Sequence, residues 1–226
     1  MKIKLLNWFR LIMSSLDNLP IYVGVLTVLW IYLPGFLINT FAMLWGKWLP
    51  KTGYGPWPID GGRVAWDGNR LFGDGKTWNG LIGGSLTSGL LCYLQVILSS
   101  DNSNIFIDPI QGWESSLLGS TNEFTVAFCI GTLLGFTALL GDMTGSFFKR
   151  RKGLKREGDT SSKDPLLDTL PFAVFTFAFG YFCLGAFEHS SNSALIPILV
   201  LLILTPIIHR LFNILGYKIG WKDVPY

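Results

Sequence analysis

Apolar residues in this chain are grouped into long stretches that contain no charged side chain. The five stretches run over residues 18–46, 77–100, 124–141, 169–187 and 190–208. Each is close to the roughly 20 residues that an α-helix needs to cross about 30 Å of hydrocarbon. We therefore predict an all-α integral membrane protein with five transmembrane helices, the first beginning near Ile21.

The residues before the first stretch have a different pattern. Apolar side chains recur at helical spacing between residues 3 and 16, which predicts an amphipathic helix lying in the membrane interface. A cleaved signal peptide is the alternative, but Arg10 interrupts the apolar residues and no small-residue cleavage site follows. We divide the chain into an N-terminal extension, residues 1–20, and a five-helix membrane domain, residues 21–226.

The composition argues against a water-soluble domain. Of the 226 residues, 50% are hydrophobic and only 15% are charged, whereas a soluble domain carries about 25% charged residues. The formal net charge is +3, which is too small to suggest the broad basic face of a nucleic-acid binder. We therefore expect the bilayer, and no nucleic acid, among the partners.

The basic residues are distributed unevenly between the apolar stretches. Lys and Arg are concentrated in residues 47–76, in residues 142–168 and in the C-terminal tail, whereas residues 101–123 contain neither. Because basic loops stay on the cytoplasmic side of a membrane, we predict a multi-pass cell-membrane protein with two basic cytoplasmic loops. The C-terminus and any site built from these loops would face the cytoplasm.

The first basic loop interleaves acidic, basic and glycine residues before the second apolar stretch. Backbone N–H groups, a lysine and a helix N-terminus are groups that bind phosphate. The triplet Gly75-Lys76-Thr77 is similar to the end of a P-loop, but Arg70 stands where that motif requires its first glycine. A glycine-rich interfacial loop without a ligand is the alternative. The candidate substrate-binding residues are Asp60, Asp67, Arg70, Asp74, Lys76 and Thr77.

The second basic loop carries an acidic residue at each end. We expect Asp142 to close the third helix and Asp168 to open the fourth, with Lys149, Arg150 and Arg151 between them. Two carboxylates beside Lys and Arg suit a phosphate ester bound with Mg²⁺, an ion that takes one or two protein carboxylates and completes its shell with phosphate and water. A purely topology-setting cluster explains the basic residues but not the paired acids.

The last apolar stretch ends in polar residues. His209 and Asn213 are four residues apart, so they share one face of a helix and are candidates for the same inner-leaflet site. Interfacial anchoring of the helix end is the alternative for both residues.

Taken together, the motifs resemble those of the CDP-archaeol synthases, which are relatives of the phosphatidate cytidylyltransferases. They occur in the family's order over residues 58–225. The matching stretches are Pro58-Ile-Asp60-Gly-Gly, Asp67-Gly-x-Arg70, Gly-Asp74-Gly-Lys76-Thr77, Gly-Asp142-Met-x-Gly-Ser146-Phe-x-Lys149-Arg150-Arg151, Leu-Leu-Asp168, Thr-Pro-x-x-His209-Arg210-x-x-Asn213 and Lys222-Asp223-Val-Pro.

This resemblance implies Mg²⁺-dependent transfer of CMP from CTP to the phosphate of an unsaturated isoprenoid-ether glycerol phosphate, which yields CDP-archaeol and pyrophosphate. Asp142 and Asp168 would be the metal ligands, and Lys149 and Arg150 would hold phosphates; all four are the expected catalytic residues. The expected substrate-binding residues are the six of the first loop with Ser146, Arg151, His209 and Asn213. The oligomeric state stays open.

Two other functions share some of these features. A transporter of an anionic substrate would also be polytopic and basic inside, but transporters place ionisable groups near the middle of the bilayer. Here the charged residues lie outside the apolar stretches or at their ends. A CDP-alcohol phosphotransferase would need Asp-Gly-x-x-Ala-Arg, whereas Asp67-Gly68 is followed by Asn69 and Arg70. An enzyme at the membrane interface fits the sequence better.

Overall fold

The computed structural model describes residues 20–100, 103, 105–110, 122–154, 165–183 and 192–220. These residues form five long α-helices and one short 3₁₀ helix, Leu49–Thr52. The α-helices are α1 (Ile21–Trp48), α2 (Trp78–Leu98), α3 (Glu123–Arg151), α4 (Pro165–Cys183) and α5 (Asn192–Lys218).

The all-α prediction is confirmed over the described residues, where no β-strand occurs. Helix α1 begins at Ile21, as the apolar pattern predicts. Three helical segments are long and apolar enough to span a membrane, namely Ile21–Thr52, Trp78–Leu98 and Glu123–Arg151. Two further apolar segments are shorter, Thr169–Gly180 and Ile196–Ile208. The protein is therefore a multi-pass helical membrane protein, and the number of five crossings stays a prediction.

Helix α3 lies between α2 and α4 and packs closely against both. The crossing of α3 with α2 is built from small residues, because a Cβ atom on Gly131 or Gly135 would collide with Cys92 or Ser88 of α2. Small residues let helix backbones approach closely in a membrane, where van der Waals contact replaces the hydrophobic effect between helices. Helix α1 packs on α2, and α5 packs on α1 and α4.

The prediction that Asp142 closes the third helix is wrong. Helix α3 continues for nine residues beyond it and ends at Arg151. Three consecutive basic residues occupy its last turn, where cations interact favourably with the helix dipole. Helix α4 begins at Pro165 rather than Asp168, since proline suits the first turn of a helix. Asp168 is the fourth residue of α4.

The first basic loop, residues 53–77, is non-helical and joins the 3₁₀ helix to α2. Its backbone is held by two isolated antiparallel bridges, Pro58 with Thr77 and Val64 with Arg70. Gly73 has a φ of +89°, a conformation that favours glycine. This loop packs against the C-terminal end of α3 and forms one wall of the candidate site.

Some predicted features fall outside the described residues. These are the interfacial helix at residues 3–16, most of the segment between α3 and α4, and the C-terminal Lys222-Asp223 motif.

Candidate active site

The first basic loop meets helix α3 through a direct contact between Lys76 and Asp142. The Lys76 ammonium donates to the Asp142 carboxylate, although the two residues are 66 positions apart in the sequence. Both side chains are partly buried, with exposed fractions of 23% and 20%. The Lys76 carbonyl also accepts a hydrogen bond of 2.8 Å from Ile59 N–H. The structure therefore joins two residues that the sequence assigns to separate loops.

Helices α3 and α4 touch backbone to backbone beside the two predicted metal ligands. A Cβ atom on Gly145 would collide with the carbonyl oxygen of Leu167, and one on Gly141 would lie 2.5 Å from that of Pro171. Asp142 is next to Gly141 in α3, and Asp168 is next to Leu167 in α4. The backbones of both acids therefore belong to one helix crossing, at the end of α3 that meets the loop.

The continuation of α3 brings further candidate residues onto one face. Asp142, Ser146 and Lys149 are spaced four and three residues apart in the helix, so they lie along one side of it. Ser146 is buried, and Lys149 lies in the last turn. Sequence reasoning missed this alignment because it ended the helix at Asp142.

The donor chemistry fits a magnesium ion shared with phosphate. The described residues contain no group of three or more His, Cys, Asp or Glu side chains that could hold a metal alone. Mg²⁺ is usually bound by one or two carboxylates together with substrate phosphates and water. Asp142 accepts a cationic group, the Lys76 ammonium, so its carboxylate is oriented to receive positive charge. The Asp142 carboxylate therefore fits the role of one protein ligand to such an ion.

Asp60 is part of the first loop, and its side chain is fully buried. Its carboxylate accepts hydrogen bonds from three backbone N–H groups, those of Gly62 at 3.1 Å, Phe72 at 3.1 Å and Gly73 at 2.9 Å. It also accepts from the Arg70 guanidinium, whose Nε is 3.2 Å from Oδ2. Burial alone would raise the pKa of Asp60, but Arg70 and the backbone donors together hold that pKa well below its ordinary value.

Arg70 connects this buried carboxylate to the exposed edge of the loop. Nη1 of Arg70 lies 2.8 Å from Oδ1 of Asp74. Asp74 is two positions before Lys76 in the sequence. The Asp74 side chain is 66% exposed. Arg70 therefore forms ion pairs with both Asp60 and Asp74. These pairs support the part of the loop that carries Lys76.

Two arginines at the end of α3 bind the loop backbone. Arg150 Nε donates to the Phe72 carbonyl at 3.2 Å, and Arg151 donates to the Arg70 carbonyl at 2.6 Å. Arg151 is also paired with Asp67 at 3.0 Å. The Asn69 amide and Arg151 lower the pKa of Asp67 against the opposing effect of burial. The sequence analysis expects Arg150 and Arg151 to bind phosphate or substrate. In the structure, both guanidinium groups contact protein atoms of the first loop.

Thr77 is the N-cap residue of helix α2. Its hydroxyl accepts a hydrogen bond of 3.1 Å from Gly80 N–H, which satisfies a donor that the helix start would otherwise leave unpaired. Asn79, which sequence reasoning missed, ties the same turn to the preceding segment by donating to the Tyr54 carbonyl at 2.8 Å. The only sequence signal for Asn79 is its position two residues after Thr77.

The two polar residues of the last helix occupy the predicted element. His209 and Asn213 are both in α5, four residues apart along its backbone. Whether they contribute to the site beside Lys76 and Asp142 stays a prediction, as does the binding role of each residue of the first loop.

Comparison with known proteins gives one consistent family. Residues 21–226 match the model of the family described as "CarS-like: CDP-archaeol synthase". A solved structure described as "Structural insight into an intramembrane enzyme for archaeal membrane lipids biosynthesis" is similar to this chain at 25% identity and a TM-score of 0.45. The match covers 76% of this chain and 91% of that one.

Curated relatives match over nearly their whole length. The chain is 35% identical to a CDP-archaeol synthase of Picrophilus torridus, over 89% of this chain and 97% of the relative. It is 36% identical to one of Thermococcus onnurineus, over 90% and 98%, and 37% identical to one of Methanosarcina barkeri, over 86% and 99%. The chain therefore belongs to the CDP-archaeol synthase family, whose enzymes transfer a cytidylyl group in archaeal lipid synthesis.

Proposed function

We propose that this protein transfers CMP from CTP to the phosphate of an unsaturated isoprenoid-ether glycerol phosphate in a Mg²⁺-dependent reaction. An oxygen of the lipid phosphate bonds to the α-phosphorus of CTP, and the bond from that phosphorus to the oxygen bridging it to the β-phosphorus breaks. The products are CDP-archaeol and pyrophosphate. We assign the reaction to residues 21–226 and treat residues 1–20 as an extension.

The observation that carries this proposal is the contact between Lys76 and Asp142. It joins the loop that carries glycine and basic residues to the helix that carries Asp142, Ser146 and Lys149. A site that unites two polyanions needs positive charge next to metal-binding carboxylates, because each phosphate repels the other. At this contact Lys76 supplies a positive charge and Asp142 a carboxylate.

The reaction does not require any side chain to form a covalent bond with a substrate. The lipid phosphate is ionised at neutral pH and is itself the nucleophile, so the site needs no serine or cysteine nucleophile and no strong base. Phosphoryl-type transfer depends mainly on positioning and charge stabilisation. We assign this work to Lys76 and Lys149, which would hold phosphate oxygens in line, while Arg150 and Arg151 keep the loop in place.

Asp142 and Asp168 would hold the Mg²⁺. When bound, the ion neutralises charge on phosphate oxygens. We infer that Lys76 then binds phosphate instead of Asp142, because the carboxylate and a phosphate compete for the same ammonium group. Residues 74–77 would therefore bind the CTP polyphosphate.

The distribution of basic residues supports a site on the cytoplasmic side. Lys76 lies in one Lys- and Arg-rich segment and Asp142 at the start of the other, and such segments stay inside. CTP would enter from the cytoplasm, and the lipid would reach the site from the bilayer with its phosphate at the membrane boundary. The C-terminus would face the same side.

The test is an assay of the detergent-solubilised protein with labelled CTP and Mg²⁺. Digeranylgeranylglycerol phosphate and diacyl phosphatidic acid serve as parallel lipid substrates, and EDTA is added to a matched sample. We expect a lipid-soluble cytidine product with the ether lipid that disappears with EDTA. A preference for the diacyl lipid would contradict the assigned substrate, and activity that survives EDTA would contradict the metal dependence.

A further inference from the structure

Residues 63–71 form a tight hairpin within the first basic loop, which we call the 63–71 hairpin. Ala65 N–H donates to the Asn69 carbonyl at 2.8 Å, and Leu71 N–H donates to the Arg63 carbonyl at 3.1 Å. Gly68, with a φ of +77°, allows the chain to reverse between them. The hairpin is therefore a defined structural unit and not an irregular segment.

The 63–71 hairpin is attached to the end of helix α3. Arg151 lies 3.0 Å from Asp67 and places its guanidinium 5.3 Å from the centre of the Trp66 ring. The same guanidinium is 4.9 Å from the Phe147 ring, and the centres of the two aromatic rings are 6.1 Å apart. These contacts fix the height of the hairpin along the axis of α3.

The outer side of the hairpin is apolar. Trp66 is 84% exposed and Val64 is 60% exposed. Val64 forms the isolated bridge with Arg70, and Trp66 begins the turn of the hairpin two positions later. Arg63, directly beside them, is also exposed. A tryptophan this exposed on a braced loop is unusual for a surface that faces only water.

The position of the hairpin along α3 indicates what covers this surface. The charge-free stretch of α3 ends at Gly141, and Phe147 is six residues further, which is about 9 Å along a helix axis. The headgroup layer on each side of a bilayer is roughly 5–8 Å thick beyond the hydrocarbon core. Trp66, packed beside Phe147, is therefore at the outer edge of the headgroup layer, a layer in which tryptophan is enriched in membrane proteins.

We propose that the 63–71 hairpin docks onto the surrounding bilayer, with Val64 and Trp66 in the headgroup layer and Arg63 beside anionic lipid phosphates. Exposed tryptophans also occur at the two helix ends that flank the first loop, Trp48 of α1 and Trp78 of α2. The opposite charges of Arg63 and the lipid phosphates favour the contact. The inference does not depend on the reaction that the site catalyses.

The proposal is tested by measuring how deeply position 66 lies in the membrane. Trp66→Cys, in a chain whose three native cysteines are replaced by alanine, is labelled with a nitroxide. The protein is reconstituted in vesicles of phosphatidylcholine and phosphatidylglycerol in equal parts. We expect the label to be more accessible to oxygen and less accessible to a water-soluble nickel chelate than a label at Lys152→Cys, the exposed position directly after α3.

Equal nickel accessibility at both positions would overturn the proposal, because the hairpin would then face water. Protection of position 66 from both reagents would also overturn it, since a second copy of the chain or another protein would then cover the surface. A second measurement avoids the cysteine replacements. Tryptophan fluorescence of the native chain and of Trp66→Phe is compared in the same vesicles with brominated lipids, and the native chain should show the greater quenching. An equal loss of fluorescence intensity in the two proteins would contradict docking.

Discussion

Replacing Asp60 by asparagine tests whether this residue organises the first basic loop or binds substrate. The carboxylate has five donor contacts: Gly62 N–H and one Arg70 nitrogen on Oδ1, and Arg70 Nε, Phe72 N–H and Gly73 N–H on Oδ2. An asparagine amide has one oxygen and one NH₂ group. In either orientation the NH₂ faces donors, so at least two of the five donors lose their acceptor.

The expected cost follows from those two donors. Each buried donor left without a partner costs about 1–3 kcal/mol, and removing one partner of a buried ion pair costs about 3–5 kcal/mol. Because Arg70 is 29% exposed and regains some hydration, we expect about 3 kcal/mol, at the lower end of that range. The loss falls on the local stability of residues 60–74, since the donors to Asp60 belong to this segment.

Hydrogen exchange followed by mass spectrometry at neutral pH measures this loss. A cost of 3 kcal/mol corresponds to about a hundredfold faster exchange of the amides in residues 60–74. Helices α2 and α3 should keep their protection. Asp74→Asn is the matched control, because it removes the same charge from an exposed ion pair in the same loop, where such a pair contributes about 0–1 kcal/mol.

The outcome that refutes this reasoning is unchanged exchange in Asp60→Asn. If exchange is unchanged while the apparent KM for CTP rises, Asp60 acts on the substrate, as the sequence alone suggests. If both exchange and KM are unchanged, Asp60 has neither role. Faster exchange with a lower kcat would identify Asp60 as a positioning residue that supports Lys76.

The pH dependence of the native loop provides an independent check of the same residue. The folded state lowers the pKa of Asp60 below its ordinary value, so its ionised form stabilises the loop. That contribution is complete above the unfolded-state pKa of about 4 and is lost as the pH falls below it through the folded-state pKa. We expect the loop to lose exchange protection in acid, and Asp60→Asn to remove this contribution.

Four further substitutions test the candidate metal ligands and phosphate-binding residues. Asp142→Asn or Asp168→Asn should lower kcat at least about a hundredfold, since a proposed Mg²⁺ ligand and several kcal/mol of charge stabilisation would be lost; near-normal turnover of the folded variant would remove that residue from the proposed metal site. Lys76→Ala should raise the apparent KM for CTP about tenfold through loss of one charge-assisted hydrogen bond, and an unchanged CTP saturation curve would contradict the triphosphate placement. Lys149→Ala should lower kcat/KM by about tenfold for the same reason, whereas identical kinetics for both substrates would exclude a phosphate contact.

The helical architecture and the family follow from the sequence alone. Uninterrupted apolar stretches predict the helices and the start of α1 at Ile21, because a segment that crosses hydrocarbon must satisfy its backbone hydrogen bonds within itself. The motifs around Asp60, Asp142 and His209 indicate the family, which the family model and the curated relatives confirm. Both kinds of information are local and do not depend on how the helices pack.

The partners of the charged side chains were decided only by the tertiary structure. A sequence shows that Lys76, Arg70 and Arg151 are basic, but not whether each is neutralised by a ligand or by the protein. Lys76 meets Asp142 across 66 residues, and Arg151 meets the Arg70 carbonyl across 81.

The end of helix α3 was decided in the same way. The apolar pattern stops at Gly141, yet α3 continues to Arg151, where two arginine side chains donate to carbonyls of the first loop. Apolar periodicity reports which residues contact lipid or core, and it gives no signal for a helical end stabilised by contacts with a distant polar loop. The arrangement of this polar face depends on long-range pairing of charges, which only the folded chain provides.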